Sequence, residues 1–139
     1  LAPTGLVDFV TVAMQPGKPQ GFGVWSNGTL IFCLPGNPVA VFVSAEVFVR
    51  PALRKLQGYP ELFRQTVLAQ AATDWDCPAD RAQYLPIVFD HDQVRPARSG
   101  GSGSHLVGGL AAAEGIAVLP KGKKNIAQGE IVTIIPLQT

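Results

Sequence analysis

Charged residues, cysteines and long apolar runs are all scarce in this chain of 139 residues, and each shortage excludes a class of protein. Only 15% of the residues are charged and the formal net charge is +1, so the basic excess typical of nucleic-acid-binding proteins is missing. No apolar run approaches the roughly 20 residues that span a membrane, because the longest, residues 39–49, is interrupted by Ser44 and Glu46. We therefore expect neither nucleic acid nor a membrane as a partner.

The chain has two cysteines, Cys33 and Cys77, which are too few for a secreted domain held together by disulfides. Together with His91 and His105 they lack the spacing of a zinc site, so no metal ligand is predicted. Nothing at the start is typical of a signal peptide. A hydrophobic content of 47% indicates a folded globular protein, and the cytoplasm is its expected location.

Strand, tight turn and long helix follow one another in the first 58 residues, as in one half of an α/β unit. β-Branched and aromatic residues predict strands at 7–14 and 22–25, and the Asn27-Gly28 pair predicts a hairpin. The apolar run 29–34 predicts a strand buried on both faces. A helix is predicted over residues 38–56, with Asn37 as its N-cap and a kink or break at Pro51.

The second half consists of short strands separated by turns. Strands are predicted at 65–71, 83–89, 93–97, 115–119 and 131–137, and a short helix at 105–113. Short strands at this spacing predict a small barrel or a sandwich, with the boundary between the two parts near residues 58–64. The fold class predicted is therefore α/β plus all-β.

The turn Leu34-Pro35-Gly36-Asn37-Pro38 joins the apolar strand to the long helix. Backbone amides and the helix dipole at such a turn can hold a phosphate or another oxyanion. An ordinary βα turn is the plainer explanation, and two prolines reduce the number of amide donors. No GKS or GKT sequence is present, which excludes a Walker loop.

Three other segments carry candidate anion contacts. Lys18 is held between Gly17 and Pro19, which fits either a rigid loop presenting one ammonium group or a solvated turn lysine. Residues 99–105, rich in serine and glycine, fit a flexible linker or a loop of hydroxyls around an anion. The lysines of the 121–124 turn fit a solvated hairpin tip or a phosphate-contacting patch. No nucleophile elbow and no acid/base pair is evident, so no catalytic residue is predicted.

Several segments, in this order, resemble the molybdopterin molybdenumtransferases of the MoeA and gephyrin E-domain family: MQPGKP, LPGNPVAVFVSAEVFVRPALRKLQG, RAQYLP, SGSH, AAAEGIAVLPKG and GEIV. The resemblance implies the C-terminal part of a MogA-like three-layer α/β domain over residues 1–58 and a small β-barrel domain over residues 63–139. It also implies a role in molybdenum cofactor biosynthesis. The family inserts molybdate into adenylylated molybdopterin in the presence of Mg²⁺, with release of AMP.

The resemblance assigns substrate or oxyanion contacts to Lys18, Pro35, Gly36, Asn37, Pro38, Arg81, Ser102 and Ser104. Gln15 stands where many members have a lysine, which removes one cation. The family's acidic groups would precede Leu1, so we expect this chain to be inactive alone. A homodimer is implied, and a partnership with molybdopterin adenylyltransferase is a further option. The alternative is a gephyrin-like scaffold or peptide-binding module, which would need an exposed apolar groove near the barrel.

Overall fold

The computed structural model describes residues 5–97 and 107–138, and its first part is a small sheet followed by a helix. The strands are β1 (Val7–Thr11), β2 (Met14–Gln15), β3 (Pro19–Val24) and β4 (Leu30–Cys33). β1, β3 and β4 form an antiparallel sheet in that order. Residues 26–28 form a three-residue loop, which Gly28 ends at φ 88°. The N–H of Trp25 donates to the carbonyl of Thr29 across the base of this loop at 2.7 Å. The predicted hairpin is confirmed, with a loop one residue longer than a two-residue Asn-Gly turn.

The helical segment predicted over residues 38–56 is confirmed as one continuous run. It consists of α1 (Pro38–Ser44), one π-helical turn (Ala45–Val49) and α2 (Arg50–Leu56). The predicted interruption at Pro51 takes the form of this π-turn, in which the N–H of Arg50 donates to the carbonyl of Ala45. Since proline lacks the N–H that an α-helix requires, the change of hydrogen-bond pattern directly before Pro51 accommodates it without a break.

The prediction that residues 29–34 would be buried on both faces is wrong for the residues described, because every residue of β4 is only half-buried. α1 contacts the small sheet at Gln20, near the start of β3. The large apolar side chains towards the carboxyl end of β3 are exposed to solvent. The ring of Phe22 lies 5.2 Å from that of Phe32 in β4, centroid to centroid and tilted by 60°, and Phe22 is 47% exposed. The sheet therefore presents an apolar surface that the described residues leave uncovered.

The second part of the chain is a closed five-stranded barrel with small additions. In chain order it contains β5 (Val67–Ala71), β6 (Trp75–Asp76), β7 (Ala82–Asp90), β8 (Gln93–Pro96), α3 (Val107–Ala111), β9 (Gly115–Leu119), β10 (Asn125–Ile126) and β11 (Ile131–Pro136). The barrel closes in the cycle β7–β8–β5–β11–β9–β7, and β6 pairs separately with β10. Fully buried side chains including Leu85, Ile87, Val94, Leu119 and Ile134 fill its interior. The predicted fold class, an α/β segment followed by a β-barrel, is confirmed.

β2 comes from the first part of the chain but pairs with the barrel. It runs parallel to the start of β7, with Met14 beside Ala82 and Gln15 beside Gln83. The N–H of Ala82 also donates to the carbonyl of Ala13 at 2.9 Å. A second buried cluster joins α1, β2 and β9 through Met14, Val39, Val43 and Ile116. The sheet, the helix and the barrel are thus packed together around β2. Within residues 5–97 and 107–138, no helix combines the length and apolarity needed to cross a bilayer.

Candidate functional site

Lys18 lies at the exposed end of a loop whose backbone is fixed from both sides. The N–H of Val12 donates to the carbonyl of Lys18 at 2.7 Å, which folds the loop back on itself. The Gln15–Pro16 peptide bond is cis, and the next residue, Gly17, has φ 102° in the left-handed region that favours glycine. The Lys18 side chain is exposed. The loop thus presents one ammonium group from a fixed backbone.

A buried amide holds this loop from below. Gln20, only 8% exposed, donates from Nε2 to the carbonyl of Gly17 at 2.9 Å and to Oγ of Ser44 at 2.8 Å. Ser44 is completely buried at the end of α1. Because a Cβ on Gly17 would lie 3.1 Å from Met14 Cε, from the Gln20 amide and from the Ser44 hydroxyl, nothing larger than glycine fits without displacing them. The Lys18 loop is therefore tied directly to the helix.

Arg81 lies just before β7, beside the strand β2 that leads into the Lys18 loop, and forms an ion pair with Asp80. The guanidinium Nε of Arg81 donates to Oδ1 of Asp80 at 3.1 Å. This hydrogen bond holds the pKa of the Asp80 carboxyl below its ordinary value, and the positive charges of Arg81 and Lys18 act in the same direction. Asp80 is therefore ion-paired with one predicted cation, Arg81, and experiences the positive charge of the other, Lys18.

In the turn Pro35-Gly36-Asn37-Pro38, the side chain of Asn37 is already engaged in capping α1. Asn37 is the N-cap, as predicted, and its Oδ1 accepts from the N–H groups of Val39 at 3.0 Å and Ala40 at 3.3 Å. The two prolines have no N–H. An anion at this turn could be met only by the amides of Gly36 and Asn37, which is a smaller anion site than the sequence suggested.

Strand register brings this turn to the same edge of the sheet as Lys18. β3 and β4 are antiparallel, with Gly21 opposite Cys33. The amino end of β3, directly after Lys18, and the carboxyl end of β4, directly before the turn, therefore lie at one edge. Three of the predicted segments, those at residues 18, 35–38 and 81, are in this way gathered on one side of the described structure.

The lysine turn at 121–124 lies next to the Asp80–Arg81 segment, since the N–H of Gly122 donates to the carbonyl of Ala79 at 2.9 Å. Lys123 is engaged by Glu130 at 2.6 Å, while Lys121 and Lys124 are exposed. Ser102 and Ser104 lie outside the described residues, so their assignment stays a prediction.

Sequence reasoning missed Gln20, Ser44 and Asp80. Ser44 interrupts an apolar helical run at a core-facing position, and that interruption was the available signal. A polar residue on a core-facing position needs a partner, and here the partner is Gln20. Asp80 is an exposed acid beside a predicted arginine, and nothing in the sequence distinguishes it from a solvated turn residue.

The described residues do not provide a site for Mg²⁺ by themselves. Among residues 5–97 and 107–138, no group of three histidine, cysteine or acidic side chains is arranged to hold a metal ion. The carboxylate of Asp80 is paired with the guanidinium of Arg81. A hard divalent ion needs several oxygen ligands, and the described residues do not bring such a set together.

Models of two protein families match the two parts of the chain. That of the MoeA C-terminal region (domain IV) matches residues 69–137, which contain the barrel, and that of a probable molybdopterin binding domain matches residues 2–55. The chain belongs to the MoeA family. The predicted resemblance is thereby confirmed, and the order of the two matches is the order of the two structural parts.

Similar proteins extend the MoeA assignment over nearly the whole chain. Molybdopterin molybdenumtransferase 2 of Mycobacterium tuberculosis is 40% identical over 123 residues, covering 88% of this chain and 30% of that protein. Molybdopterin molybdenumtransferase 1 of the same organism is 37% identical over 142 residues, covering 96% and 33%. The crystal structure of the molybdopterin biosynthesis MoeA protein from Pyrococcus horikoshii OT3 has a TM-score of 0.75 at 26% identity, covering 92% of this chain and 32% of that one. The chain thus spans about a third of the length of these MoeA relatives.

Proposed function

We propose that this chain is the part of a molybdopterin molybdenumtransferase that helps to hold an oxyanion and a pterin phosphate during molybdenum cofactor biosynthesis. The reaction proposed is insertion of molybdate into adenylylated molybdopterin with release of AMP. The similarity of both parts of the chain to molybdopterin molybdenumtransferases supports it. The observation that carries it is the pairing of β2 with β7, which sets the Lys18 loop beside the Arg81 segment at the end of the sheet where the 35–38 turn lies.

The proposed contribution of these residues is electrostatic. Lys18 and Arg81 would donate charge-assisted hydrogen bonds to the oxygens of molybdate or of the phosphate. The turn from Pro35 to Pro38 would form a wall with the amides of Gly36 and Asn37, and the hydroxyls of Ser102 and Ser104 would add donors. Groups that are fixed before the substrate arrives lose little freedom on binding it, and this is how such a site lowers a barrier.

The remaining components would come from outside these residues. We propose that the full-length protein is a cytoplasmic homodimer, that it works with Mg²⁺ held by carboxylates elsewhere and by substrate phosphates, and that molybdopterin adenylyltransferase is a second partner. The exposed apolar side chains of the small sheet, such as Phe9 at 57% and Val10 at 55%, support further protein packing against it. The isolated chain is then inactive.

A charge-removal experiment on the full-length protein tests the site. Equilibrium dialysis with molybdate compares Lys18→Ala with Lys55→Ala, an exposed lysine near the end of α2. Loss of one charge-assisted hydrogen bond of about 1.4 kcal/mol would weaken binding about tenfold for Lys18→Ala only. Equal affinities of the two variants would refute the proposed site.

A scaffold function is the second candidate and rests on an apolar cleft between the helix and the barrel. The cleft measures about 330 Å³, and its lining includes Val47, Phe63, Tyr84, Val118 and Ile135. Phe63, 72% exposed, stands at its rim. If a peptide partner docks here, Phe63→Ser in the full-length protein abolishes its capture and leaves molybdate binding intact. Capture that survives the substitution rejects the cleft as the docking site.

A further inference from the structure

Gln20 and Ser44 are buried polar side chains that the proposed oxyanion site does not itself use. Gln20 is 8% exposed and Ser44 0%. The hydrogen bond between them joins residues that are 24 positions apart along the chain. Burying an amide and a hydroxyl has a cost that only hydrogen bonding offsets, so this pair calls for an explanation beyond filling space.

The geometry of the amide gives that explanation. The Nε2 group of Gln20 has two hydrogens, and it makes two hydrogen bonds, one to the carbonyl of Gly17 at 2.9 Å and one to Ser44 Oγ at 2.8 Å. The first fixes the orientation of the peptide unit that joins Gly17 to Lys18. The second anchors the amide to α1. The backbone that enters Lys18 is therefore held in a fixed orientation relative to α1.

An apolar pair of similar volume would fill the same space without the cost of desolvation. What such a pair could not do is orient the Gly17 carbonyl. The other side of the loop is held by the main-chain bond from Val12 to the Lys18 carbonyl at 2.7 Å, so Gln20 completes the fixation of both peptide units that flank Lys18. The exposed end of the side chain is left free to meet a ligand.

Ser44 also connects the loop to the second predicted segment. It lies seven positions after Asn37 on the helix that the 35–38 turn opens, and it is the last residue of α1. A displacement of that helix would be transmitted through Ser44 and Gln20 to the Gly17 carbonyl. The backbone at Lys18 and the 35–38 turn are therefore both positioned by the same helix, α1.

We propose that Gln20 and Ser44 are positioning residues for Lys18, which set the place of its ammonium group relative to a bound oxyanion without touching that oxyanion. This inference rests on the proposed function of Lys18. Removal of the Gln20–Ser44 pair should therefore change molybdate binding only while the Lys18 ammonium group is present.

A double-mutant cycle in the full-length protein tests this, with molybdate affinity measured by equilibrium dialysis. Ser44→Ala is expected to weaken molybdate binding about three- to tenfold when Lys18 is present, within the range of coupling between contacting groups, and to have no further effect in the Lys18→Ala background. Gln20→Met, which keeps the volume and removes the amide, should behave in the same way. Ser44→Cys retains a weak acceptor and should restore part of the affinity.

Val132→Ala in the barrel controls for lost stability, because Val132 is 4% exposed and lies in β11. It should lower the free energy of unfolding without changing molybdate affinity. If Ser44→Ala weakens binding equally in both Lys18 backgrounds, or not at all while Lys18→Ala does weaken it, the positioning role alone is overturned. If Lys18→Ala itself leaves affinity unchanged, the proposed site fails and the positioning role fails with it. Gln20→Met supplies the same comparison if Ser44→Ala does not fold.

Discussion

The amide nitrogen of Gln20 and the hydroxyl oxygen of Ser44 lie 2.8 Å apart beneath the loop that carries Lys18. This contact joins β3 to the end of α1. The two polar groups also occupy the space into which a side chain at Gly17 would extend. The loop has no room for a side chain at Gly17, because its neighbours on that side are the same two polar groups and Met14. The mobility of Lys18 is thereby confined to its own side chain.

Gly17→Ala should destabilise the 139-residue chain more than Gly122→Ala. Both glycines have a left-handed φ, 102° and 99°, so each substitution incurs about 1 kcal/mol of backbone strain. A Cβ at Gly17 meets three atoms at 3.1 Å, whereas one at Gly122 meets nothing within 4 Å, which should add about 1–3 kcal/mol at Gly17 only. Urea unfolding of both variants measures the difference. Equal losses would show that the loop yields to the extra carbon.

Asn37→Ala should lower the free energy of unfolding by about 1 kcal/mol, since it removes the acceptor of the Val39 and Ala40 N–H groups at the start of α1. Asn37→Asp keeps an acceptor oxygen and should be close to neutral. Thermal unfolding followed by circular dichroism compares the two. An aspartate variant as unstable as the alanine variant would contradict the capping role.

Two isoleucines of β11 should respond very differently to truncation. Ile134 is 0% exposed in the barrel interior, and Ile131, on the same strand, is 54% exposed. Ile134→Ala leaves a cavity and should cost about 2–5 kcal/mol, while Ile131→Ala should cost well under half as much. Guanidinium unfolding curves of the two variants provide the comparison. Similar costs would mean that the barrel core does not close as described.

Tyr84 should make stability fall in alkaline solution. Burial raises the pKa of its phenol above the ordinary 10.0, so the folded state holds the proton more tightly than the unfolded chain does. Its contribution to stability is complete below pH 10.0 and is lost as the pH rises through the folded-state pKa. The free energy of unfolding, measured from about pH 8 to about pH 11, should fall more steeply with pH in the parent chain than in Tyr84→Phe. Curves that stay parallel contradict the shift.

The order of helices and strands could largely be predicted from local pattern. Residues 38–56 have helical spacing and an Asn-Pro start, and residues 131–137 are β-branched, so both elements were predicted close to their observed bounds. The two-residue strands β6 and β10 were missed because a run of two residues has no periodicity to detect. The degree of burial of β4 could not be predicted, because burial depends on which residues cover the strand.

Family motifs point to the cations Lys18 and Arg81, whereas no local pattern points to the residues that hold the Lys18 loop. The segments that carry the two cations lie side by side because β2 pairs with β7. The amide of Gln20 reaches Ser44 because α1 packs on the sheet. That contact joins residues 24 positions apart in sequence, for which a local pattern carries no signal.

The short strand β2 determines how far the backbone segments that carry Lys18 and Arg81 can separate. Its parallel pairing with Ala82 and Gln83 begins one residue after Arg81, and the loop it leads into returns Lys18 to Val12. Any hinge motion of the barrel against the helix at this junction would have to break main-chain hydrogen bonds before the two backbone segments could move apart. The relative position of the segments that carry Lys18 and Arg81 is thus a property of the sheet, and only their side chains can adjust to a ligand.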